Sequence, residues 1–213
     1  GAQNLIEGCL SSNVKKVIAL STDKAAGPIN LYGATKLCSD KLFTSAQNYI
    51  GKRDIKFSVM RYGNVMGSRG SVLPVFLNLE NKSTFPITHK SMTRFNISLI
   101  ESVESVIWAF QNMLGSEIFV PKIKSFRIVD LAKAINPNCK FKIIGIRPGE
   151  KLHEEMITKS DSINCVDLGK FYAILSPFSK YSLKNYSKIK KVKKVKEGFS
   201  YSSDNNGKFL SIS

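Results

Sequence analysis

The residues with the clearest chemical potential lie in one stretch, STDKAAGPINLYGATK, at residues 21–36. Tyr32 stands four residues before Lys36, a spacing that places both side chains on one face of a helix. A neighbouring ammonium favours the ionised form of a phenol, so this pair suits removal of a proton from an alcohol. A hydroxyl from Ser21 or Thr22, at the end of the preceding strand, would complete a hydrogen-bond relay. The stretch therefore predicts oxidation of an alcohol by hydride transfer.

Asp23 and Lys24 lie between these hydroxyls and Tyr32 and add a second kind of chemistry. A carboxyl group and an amine at one site can donate and accept the protons of a dehydration. A lysine base must be partly neutral, so we expect burial or neighbouring cations to lower the pKa of Lys24. The alternative for the Asp23 and Lys24 pair is an exposed ion pair in a turn. For Tyr32 alone the alternative is packing in the core.

The segments around this stretch alternate between helix and strand. Helical spacing of apolar residues predicts helices in NLIEGCLSSN, LYGATKLCSDKLFTSAQNYI, SLIESVESVIWAFQNML and IVDLAKAI. Short β-rich runs predict buried strands in KKVIALS, KFSVMRYGNV, EIFVP and KFKIIGI. The second helix would gather Leu37, Leu42, Phe43 and Ala46 near one face, and the third would place Ile100, Val103, Ile107 and Phe110 along one side. This alternation predicts a doubly wound α/β sheet.

The composition describes a globular chain. Its 213 residues are 43% hydrophobic, which is enough for a sizeable core, and its apolar runs are far shorter than the roughly 20 residues that cross a bilayer. The cysteines have no C-x-x-C spacing, which argues against a zinc site or a dense disulfide framework and favours a reducing cytoplasm. They are Cys9, Cys38, Cys139 and Cys165.

The net charge of +16 is unevenly distributed. Eight lysines fall within residues 180–196, a segment that contains no acidic residue. We interpret this segment as a solvated lysine-rich stretch and expect neither a nucleic-acid nor a membrane partner. A dedicated site for a polyanion is the alternative, and it would make binding steeply dependent on salt.

Four motifs in order carry a family resemblance: STDKAAGPINLYGATK, RYGNVMGSRGSVLPVF, MTRF and RPGEKLHEEM. Together they resemble the extended short-chain dehydrogenase/reductases. Within that superfamily they are similar to the nucleotide-sugar 4,6-dehydratases, in particular the inverting type that acts on UDP-N-acetylglucosamine in pseudaminic acid synthesis. The resemblance runs from the first residues to EGFSYSSDNNGKFL near the end of the chain.

The resemblance implies a catalytic role for five residues. Tyr32, helped by Lys36 and Thr22, would take the proton from the sugar 4-hydroxyl while NADP, or NAD, accepts a hydride from carbon 4. Lys24 would then remove the proton on carbon 5, and Asp23 would donate a proton to the departing 6-hydroxyl. Reprotonation on the opposite face would invert carbon 5. Related dehydratases that retain the configuration carry Glu where Lys24 stands.

The resemblance also implies the binding residues, and no metal. The cofactor would be bound by Ser21, Tyr32, Lys36, Tyr62 and Asn64. The UDP-sugar would be bound by Asn64, Arg69, Arg94, Arg147 and Glu150, with the arginines on the diphosphate and Glu150 on the ribose hydroxyls. The alternatives are surface arginines and an ordinary turn.

The resemblance further implies how the chain is divided. Residues 1–125 would be a partial Rossmann domain that lacks its first strands, with substrate-lobe insertions around 66–97. Residues 126–213 would be a substrate-binding lobe with the lysine-rich segment. The sequence has no G-x-x-G-x-x-G, so we expect a fragment whose dinucleotide cradle lies upstream and which binds NADP poorly alone.

The expected fold class is therefore the C-terminal part of a Rossmann-type doubly wound parallel sheet with a smaller α/β substrate-binding lobe. We expect a UDP-sugar as substrate and a homo-oligomer as the complete protein. The alternatives are a retaining dehydratase, a 4-epimerase, or a non-catalytic basic binding module. Product configuration at carbons 4 and 5 separates the three enzymes.

Overall fold

The computed structural model describes residues 1–79, 83–177, 186–187 and 192–212. Its helices are α1 (Ala2–Leu10), α2 (Leu31–Ala46), α3 (Val72–Leu77), α4 (Leu99–Asn112) and α5 (Ile128–Ile135). Its strands are β1 (Lys16–Thr22), β2 (Lys56–Tyr62), β3 (Thr84–Ile87), β4 (Thr93–Asn96), β5 (Ile118–Pro121), β6 (Lys124–Arg127), β7 (Lys140–Ile143), β8 (Glu155–Ile157), β9 (Cys165–Asp167), β10 (Phe171–Ile174), β11 (Lys193–Lys194) and β12 (Tyr201–Ser202). The predicted helices and strands are thus present in the predicted order.

The main sheet has the order β1-β2-β5-β10-β9-β11. The first three strands are parallel, as the helical connections between them require. The β10 strand returns antiparallel to β5, and β9 and β11 continue antiparallel. Because β1 is parallel to β2 and pairs with it, the carboxyl ends of the two strands lie side by side, with Thr22 in register with Tyr62. Ligands of open α/β sheets bind at such carboxyl ends.

Helices cover both faces of this sheet. Alternate residues of a strand point to opposite faces, and on β2 Phe57 packs with Phe43 of α2, whereas Met60 packs with Ala109 of α4. This arrangement confirms the α/β, doubly wound class. No helix among the described residues is long and apolar enough to span a membrane.

The buried face of α2 differs in part from the prediction. Phe43 and Ala46 are buried as expected, but Leu42 is exposed and Asp40 is buried. The Asp40 carboxylate turns inward because Arg61 of β2 donates to its Oδ2 at 2.9 Å and Ser21 of β1 donates to the same oxygen at 2.9 Å. An ion pair with partners on two strands therefore replaces an apolar contact.

The apolar side of α4 does not face the sheet. Ile100 is 71% exposed, and Val103, Ile107 and Phe110 are exposed as well. The residues of α4 that are buried are Ser102, Ser105 and Ala109, and their small size lets the helix lie close to the strands. The two serine hydroxyls remain satisfied by donating to helix carbonyls one turn back.

A smaller lobe stands beside the main sheet. It contains the parallel pair β3 and β7, the antiparallel pair β4 and β6, and the helices α3 and α5. Its core is an aromatic and aliphatic cluster with Phe76 edge-on to Phe85. This lobe supplies one wall of the site described below.

The predicted boundary near residue 125 does not coincide with the limit of the main sheet. Strands β9, β10 and β11 come after residue 125 and yet pair within that sheet, because β10 follows β5 directly in the strand order. The second half of the chain therefore contributes to both the sheet and the lobe. Most of the lysine-rich segment lies outside the described residues, and Lys193 and Lys194 form β11.

Candidate active site

The centre of the site is the tight turn between β1 and α2. Thr22 ends β1 and caps a single 3₁₀ turn, Asp23–Ala25, with its hydroxyl oxygen accepting from the Lys24 amide at 3.4 Å. The same hydroxyl donates to Asp23 Oδ1 at 2.8 Å. Asp23 is completely buried, and its Oδ2 has no hydrogen-bond partner among the described residues. The turn thus holds a carboxylate inside the protein with half of its accepting capacity unused.

Lys24 lies between two carboxylates. Its Nζ is 3.0 Å from Asp23 Oδ1 and 3.3 Å from Oε1 of Glu154, just before β8. Burial lowers the pKa of Lys24, but attraction and hydrogen bonding to Asp23 and then to Glu154 outweigh that effect, so the pKa is raised. The prediction of a lowered pKa is therefore wrong for this structure. Lys24 is a cation here and must lose a proton before it can act as a base.

The first turn of α2 is fixed against this 3₁₀ turn. Asn30 caps the helix by accepting from the Gly33 amide at 2.8 Å, and its Nδ2 donates to the carbonyl of Gly149 at 2.8 Å. A Cβ on Gly33 would lie 2.3 Å from the Lys24 carbonyl oxygen, so only glycine allows this approach. Tyr32 is consequently presented next to the turn, 53% exposed.

Lys36 lies one helical turn beyond Tyr32. Its Nζ donates to the carbonyl of Leu20 in β1 at 3.4 Å, which holds the amine beside the edge strand. The structure therefore places Thr22, Asp23 and Lys24 in one turn, with Tyr32 and Lys36 on the adjoining helix. The predicted catalytic residues lie around the carboxyl end of β1.

A pocket of about 350 Å³ opens between the sheet and the lobe. Lys24, Asn64 and Glu154 line its polar end. Arg147, Glu150 and Lys151 also line it, and its other wall is apolar, with Met66, Val72, Phe76, Met92, Phe126, Ile128 and Ile144. A polar end and an apolar wall suit a ligand that carries both a hydroxylated and a flat, weakly polar part.

Arg94 and Glu150 contact each other instead of standing free. Arg94 Nη2 donates to Glu150 Oε1 at 3.3 Å, and its Nη1 donates to the carbonyls of Thr93 and Leu152 at 2.8 and 3.1 Å. Arg94 Nε is also 3.8 Å from Glu154 Oε1. The Arg94 guanidinium therefore bonds mainly to other groups of the protein and organises the pocket wall. It has little hydrogen-bonding capacity left for the predicted contact with a diphosphate.

The other predicted binding residues occupy different environments. Ser21 is buried and donates to Asp40, so its hydroxyl belongs to the core ion pair. Arg69 is exposed and Arg147 is exposed at the pocket rim. Tyr62 is half-buried, and burial raises its pKa. The structure thus brings Arg147 to the pocket together with Asn64, but shows neither Ser21 nor Arg69 at its wall.

Glu154 is the important site residue that the sequence analysis did not single out. It lies within RPGEKLHEEM, in a run of adjacent acids where no local pattern indicates which side chain points inward. Ser203 holds its backbone from both sides, since Glu154 N donates to Ser203 Oγ at 2.9 Å and Ser203 N donates to the Glu154 carbonyl at 2.8 Å. Pairing of β12 with β8 brings these residues together.

The site fits the hydrogen-bonding side of a nicotinamide. Asn64 Oδ1 is buried without a hydrogen-bond partner in the described part of the chain, and Asp23 Oδ2 is in the same condition. Both residues lie just past the carboxyl ends of β1 and β2, and Asn64 lines the pocket whereas Asp23 does not. Unpaired buried acceptors are costly unless a ligand or water supplies a donor, so Asn64 is suited to accept a hydrogen bond from a ligand in the pocket.

Residues 1–176 match the family described as "Polysaccharide biosynthesis protein", and the chain belongs to that family. It is 55% identical, over 97% of its own length, to a UDP-N-acetylglucosamine 4,6-dehydratase (inverting) of Campylobacter jejuni serotype O:2, and covers 64% of that relative. A second dehydratase of that name, from serotype O:23/36, is 52% identical over 99% of this chain and 65% of its own length. The chain thus spans somewhat less than two thirds of these curated relatives.

Solved structures agree with the fold. "X-ray structure of Pen from Bacillus thuringiensis" matches with a TM-score of 0.84 and 34% identity, over 99% of this chain and 64% of that one. A UDP-N-acetylglucosamine 4-epimerase of Bacillus cereus matches with a TM-score of 0.55 and 17% identity over 70% of this chain and 61% of its own, and this match concerns the fold alone.

Among the relatives by sequence, a UDP-glucose 4-epimerase of Rickettsia akari is 40% identical over 82% of this chain and 52% of its own length.

Proposed function

We propose that this chain forms the catalytic and sugar-binding part of an inverting nucleotide-sugar 4,6-dehydratase that acts on UDP-N-acetylglucosamine. The observation that carries the proposal is that Lys24, which lines the pocket, lies between Asp23 and Glu154 in the turn that precedes the helix with Tyr32 and Lys36. A dehydratase needs proton transfer at two positions of one sugar, and this arrangement supplies two groups of acids and bases. The names of the relatives that are more than half identical support the same activity.

The first group serves the sugar 4-hydroxyl. Tyr32 takes the hydroxyl proton, and the nearby Lys36 ammonium favours the phenolate. Thr22 contributes a hydroxyl at the end of β1. NADP, or NAD as the alternative, would supply the acceptor for the carbon-4 hydride and return the hydride at carbon 6.

The second group serves carbons 5 and 6. The carbon-4 ketone acidifies the proton on carbon 5, and Lys24 removes that proton once it is neutral. The resemblance gives Asp23 the role of protonating the departing 6-hydroxyl. Protonation of carbon 5 on the face opposite Lys24 inverts its configuration, and Lys24 carries this stereochemical outcome because retaining relatives have Glu there.

The pocket supports a UDP-sugar as substrate. Its apolar wall, with Phe76 and Ile128, offers a surface for the uracil, and Arg147 at the rim offers charge for the diphosphate. Asn64 at the polar end is available to the sugar. Arg69 and Arg94 remain candidates for the diphosphate only after a rearrangement, since Arg69 does not line the pocket and Arg94 is bonded to Glu150.

A 4-epimerase is the second candidate, because relatives about 40% identical bear the name UDP-glucose 4-epimerase. An epimerase oxidises and reduces carbon 4 and has no need for acid and base groups at carbons 5 and 6. The Asp23, Lys24 and Glu154 cluster therefore favours the dehydratase.

Incubation of the full-length protein with UDP-N-acetylglucosamine and NADP tests the proposal. We expect a product lighter than the substrate by one water, detected by mass spectrometry, and a loss of at least about 100-fold in rate for Tyr32→Phe. A product of unchanged mass that differs only at carbon 4 would establish the epimerase instead. Absence of any conversion would contradict both.

The finer parts of the proposal have separate tests. Parallel assays with NADP and NAD decide between the cofactors, and light scattering decides whether the protein is a homo-oligomer. Cell fractionation tests the cytoplasmic location. Loss of pseudaminic acid from the surface glycans of a strain lacking the gene would place the product in that pathway.

A further inference from the structure

We propose that His153 is a positioning residue: as the neutral tautomer with its proton on Nε2, it holds Glu154 against Lys24 through the hydroxyls of Thr93 and Ser203. The inference rests on the proposed function only for the chemistry that Lys24 performs. It follows from a chain of hydrogen bonds that leads from the pocket to the other side of its wall.

Two pairs of neighbouring residues straddle the wall of the pocket. Arg94 of β4 and Glu154, just before β8, line the pocket of the candidate active site. Thr93 and His153, each one residue earlier, line a second cavity of about 390 Å³. Successive side chains of an extended segment point to opposite sides, which accounts for this division. The ring of His153 therefore lies outside the pocket that Glu154 enters.

The backbone of Glu154 places its carboxylate more than the carboxylate's own contacts do. Its Oε1 is 3.3 Å from Lys24 Nζ and 3.8 Å from Arg94 Nε, and its Oε2 has no hydrogen-bond partner in the described residues. The Ser203 hydroxyl oxygen accepts from the Glu154 amide at 2.9 Å, and the Ser203 amide donates to the Glu154 carbonyl at 2.8 Å. A shift of the Ser203 hydroxyl should therefore move the Glu154 carboxylate relative to Lys24.

The Ser203 hydroxyl continues into a chain that ends at His153. Ser203 Oγ is 2.6 Å from Thr93 Oγ1, which is 2.8 Å from His153 Nδ1. If Ser203 donates to Thr93 and Thr93 donates to Nδ1, both hydroxyl protons have an acceptor. If Nδ1 carried the proton, Thr93 would donate to Ser203, and the completely buried Ser203 hydroxyl would have no acceptor among the described residues. The chain therefore selects the tautomer with the proton on Nε2.

Nitrogen NMR of isotopically labelled histidine in the full-length protein tests the direction of the chain. It is recorded in alkaline buffer, where imidazole is ordinarily neutral, and His153→Asn identifies the signals. We expect a protonated Nε2 and an unprotonated, hydrogen-bonded Nδ1. Thr93→Val keeps the shape of threonine without its hydroxyl and should shift both signals toward a mixture of tautomers, whereas Thr93→Ser should not. A proton on Nδ1 in the wild-type protein would overturn the proposal.

The pKa of Lys24 separates positioning from a purely structural role. Burial lowers this pKa, but attraction to Asp23 and then to Glu154 raises it more. NMR of labelled lysine side chains measures the pKa, with Lys24→Arg used to assign the signal. We expect it to fall in Thr93→Val and in His153→Leu, toward its value in Glu154→Gln. Thr93→Ser, and His153→Asn with an oxygen that can accept in place of Nδ1, should leave it unchanged.

A Thr93→Val protein that is less stable but keeps the wild-type pKa of Lys24 would overturn the proposal, because the chain would then stabilise the fold without placing Glu154. Loss of the Lys24 shift in Thr93→Ser as well would overturn it too, since that variant retains the hydroxyl.

The catalytic consequence is measured on the full-length protein with UDP-N-acetylglucosamine. Thr93→Val should lower kcat for water elimination about 10-fold and change KM by less than about threefold, because Thr93 does not line the pocket while Lys24 is displaced within it. Thr93→Ser should keep the wild-type kcat, and an equal loss in that variant would contradict the proposal. A wild-type protein that forms no dehydrated product would remove the proposed function, whereas the tautomer of His153 and the pKa of Lys24 would still decide this inference.

Discussion

Glu117 and Glu154 are both buried, 1% and 3% exposed, but they are bonded in opposite ways. Glu117 Oε1 accepts from the Leu114 amide at 2.7 Å, and its Oε2 accepts from the Gly115 amide at 2.8 Å and from the Ser58 hydroxyl at 2.6 Å. Glu154 has two cations near one oxygen and no described partner on the other. A buried carboxylate whose oxygens both accept hydrogen bonds stabilises a fold. A buried carboxylate with one unpaired oxygen can still bind a ligand or a proton.

The two buried ion pairs differ in their access to the pocket. Arg61 donates to Asp40 at 2.9 Å and to the Met156 carbonyl at 3.0 Å, deep in the core. Lys24 lines the pocket and is partly exposed, and the Oδ2 of its partner Asp23 has no hydrogen-bond partner in the described part of the chain. We therefore expect the charged pair in the sheet to stabilise the fold and the charged pair at the end of β1 to take part in the proposed chemistry.

Removal of the core cation should have the largest effect on stability. Arg61→Met leaves the Asp40 carboxylate buried, with the Ser21 hydroxyl as the side-chain partner that remains among the described residues, and we expect the free energy of unfolding to fall by about 3–5 kcal/mol. Urea denaturation measures it. In the double variant with Asp40→Leu, most of the loss should return, because no unpaired charge remains. A loss below about 1 kcal/mol in the single variant would contradict the structural role of the pair.

Matched substitutions of the two glutamates should give a smaller but more discriminating difference. Glu117→Gln replaces an acceptor of amide hydrogens by a group that presents N–H toward one of them, so we expect a loss of about 2 kcal/mol. In Glu154→Gln the position of the unpaired oxygen loses no hydrogen bond, so we expect the free energy of unfolding to change by no more than about 1 kcal/mol. Thermal and urea unfolding of the two variants measure the difference. Equal losses would remove the distinction drawn between the two residues.

Local patterns predicted the part of the site that is continuous in sequence. The strand ending at Thr22 and the helix carrying Tyr32 and Lys36 follow from β-propensity and apolar spacing within about twenty residues. Glu154 lies far from Lys24 in the chain. The pairing of β8 with β12 and the hydrogen bond of the Glu154 amide to Ser203 place it at the pocket. No spacing rule reports such a contact.

Sequence patterns also left the orientation of two features undecided. An apolar stripe predicts that α4 is amphipathic, but Ser102 and Ala109 face the sheet instead because small residues permit close packing. Arg94 has the right chemistry for a diphosphate, yet Glu150 and two carbonyls are nearer partners. Charge type shows what a side chain can bind, whereas the tertiary structure determines what it meets.

The configuration at carbon 5 of the product tests the central claim most directly. The full-length protein is incubated with UDP-N-acetylglucosamine in D₂O, and proton NMR of the product reports both the configuration and the deuterium at that carbon. The account predicts an inverted, deuterated carbon 5 for the wild type and loss of inversion in Lys24→Glu. An inverted product from Lys24→Glu at the wild-type rate would contradict it.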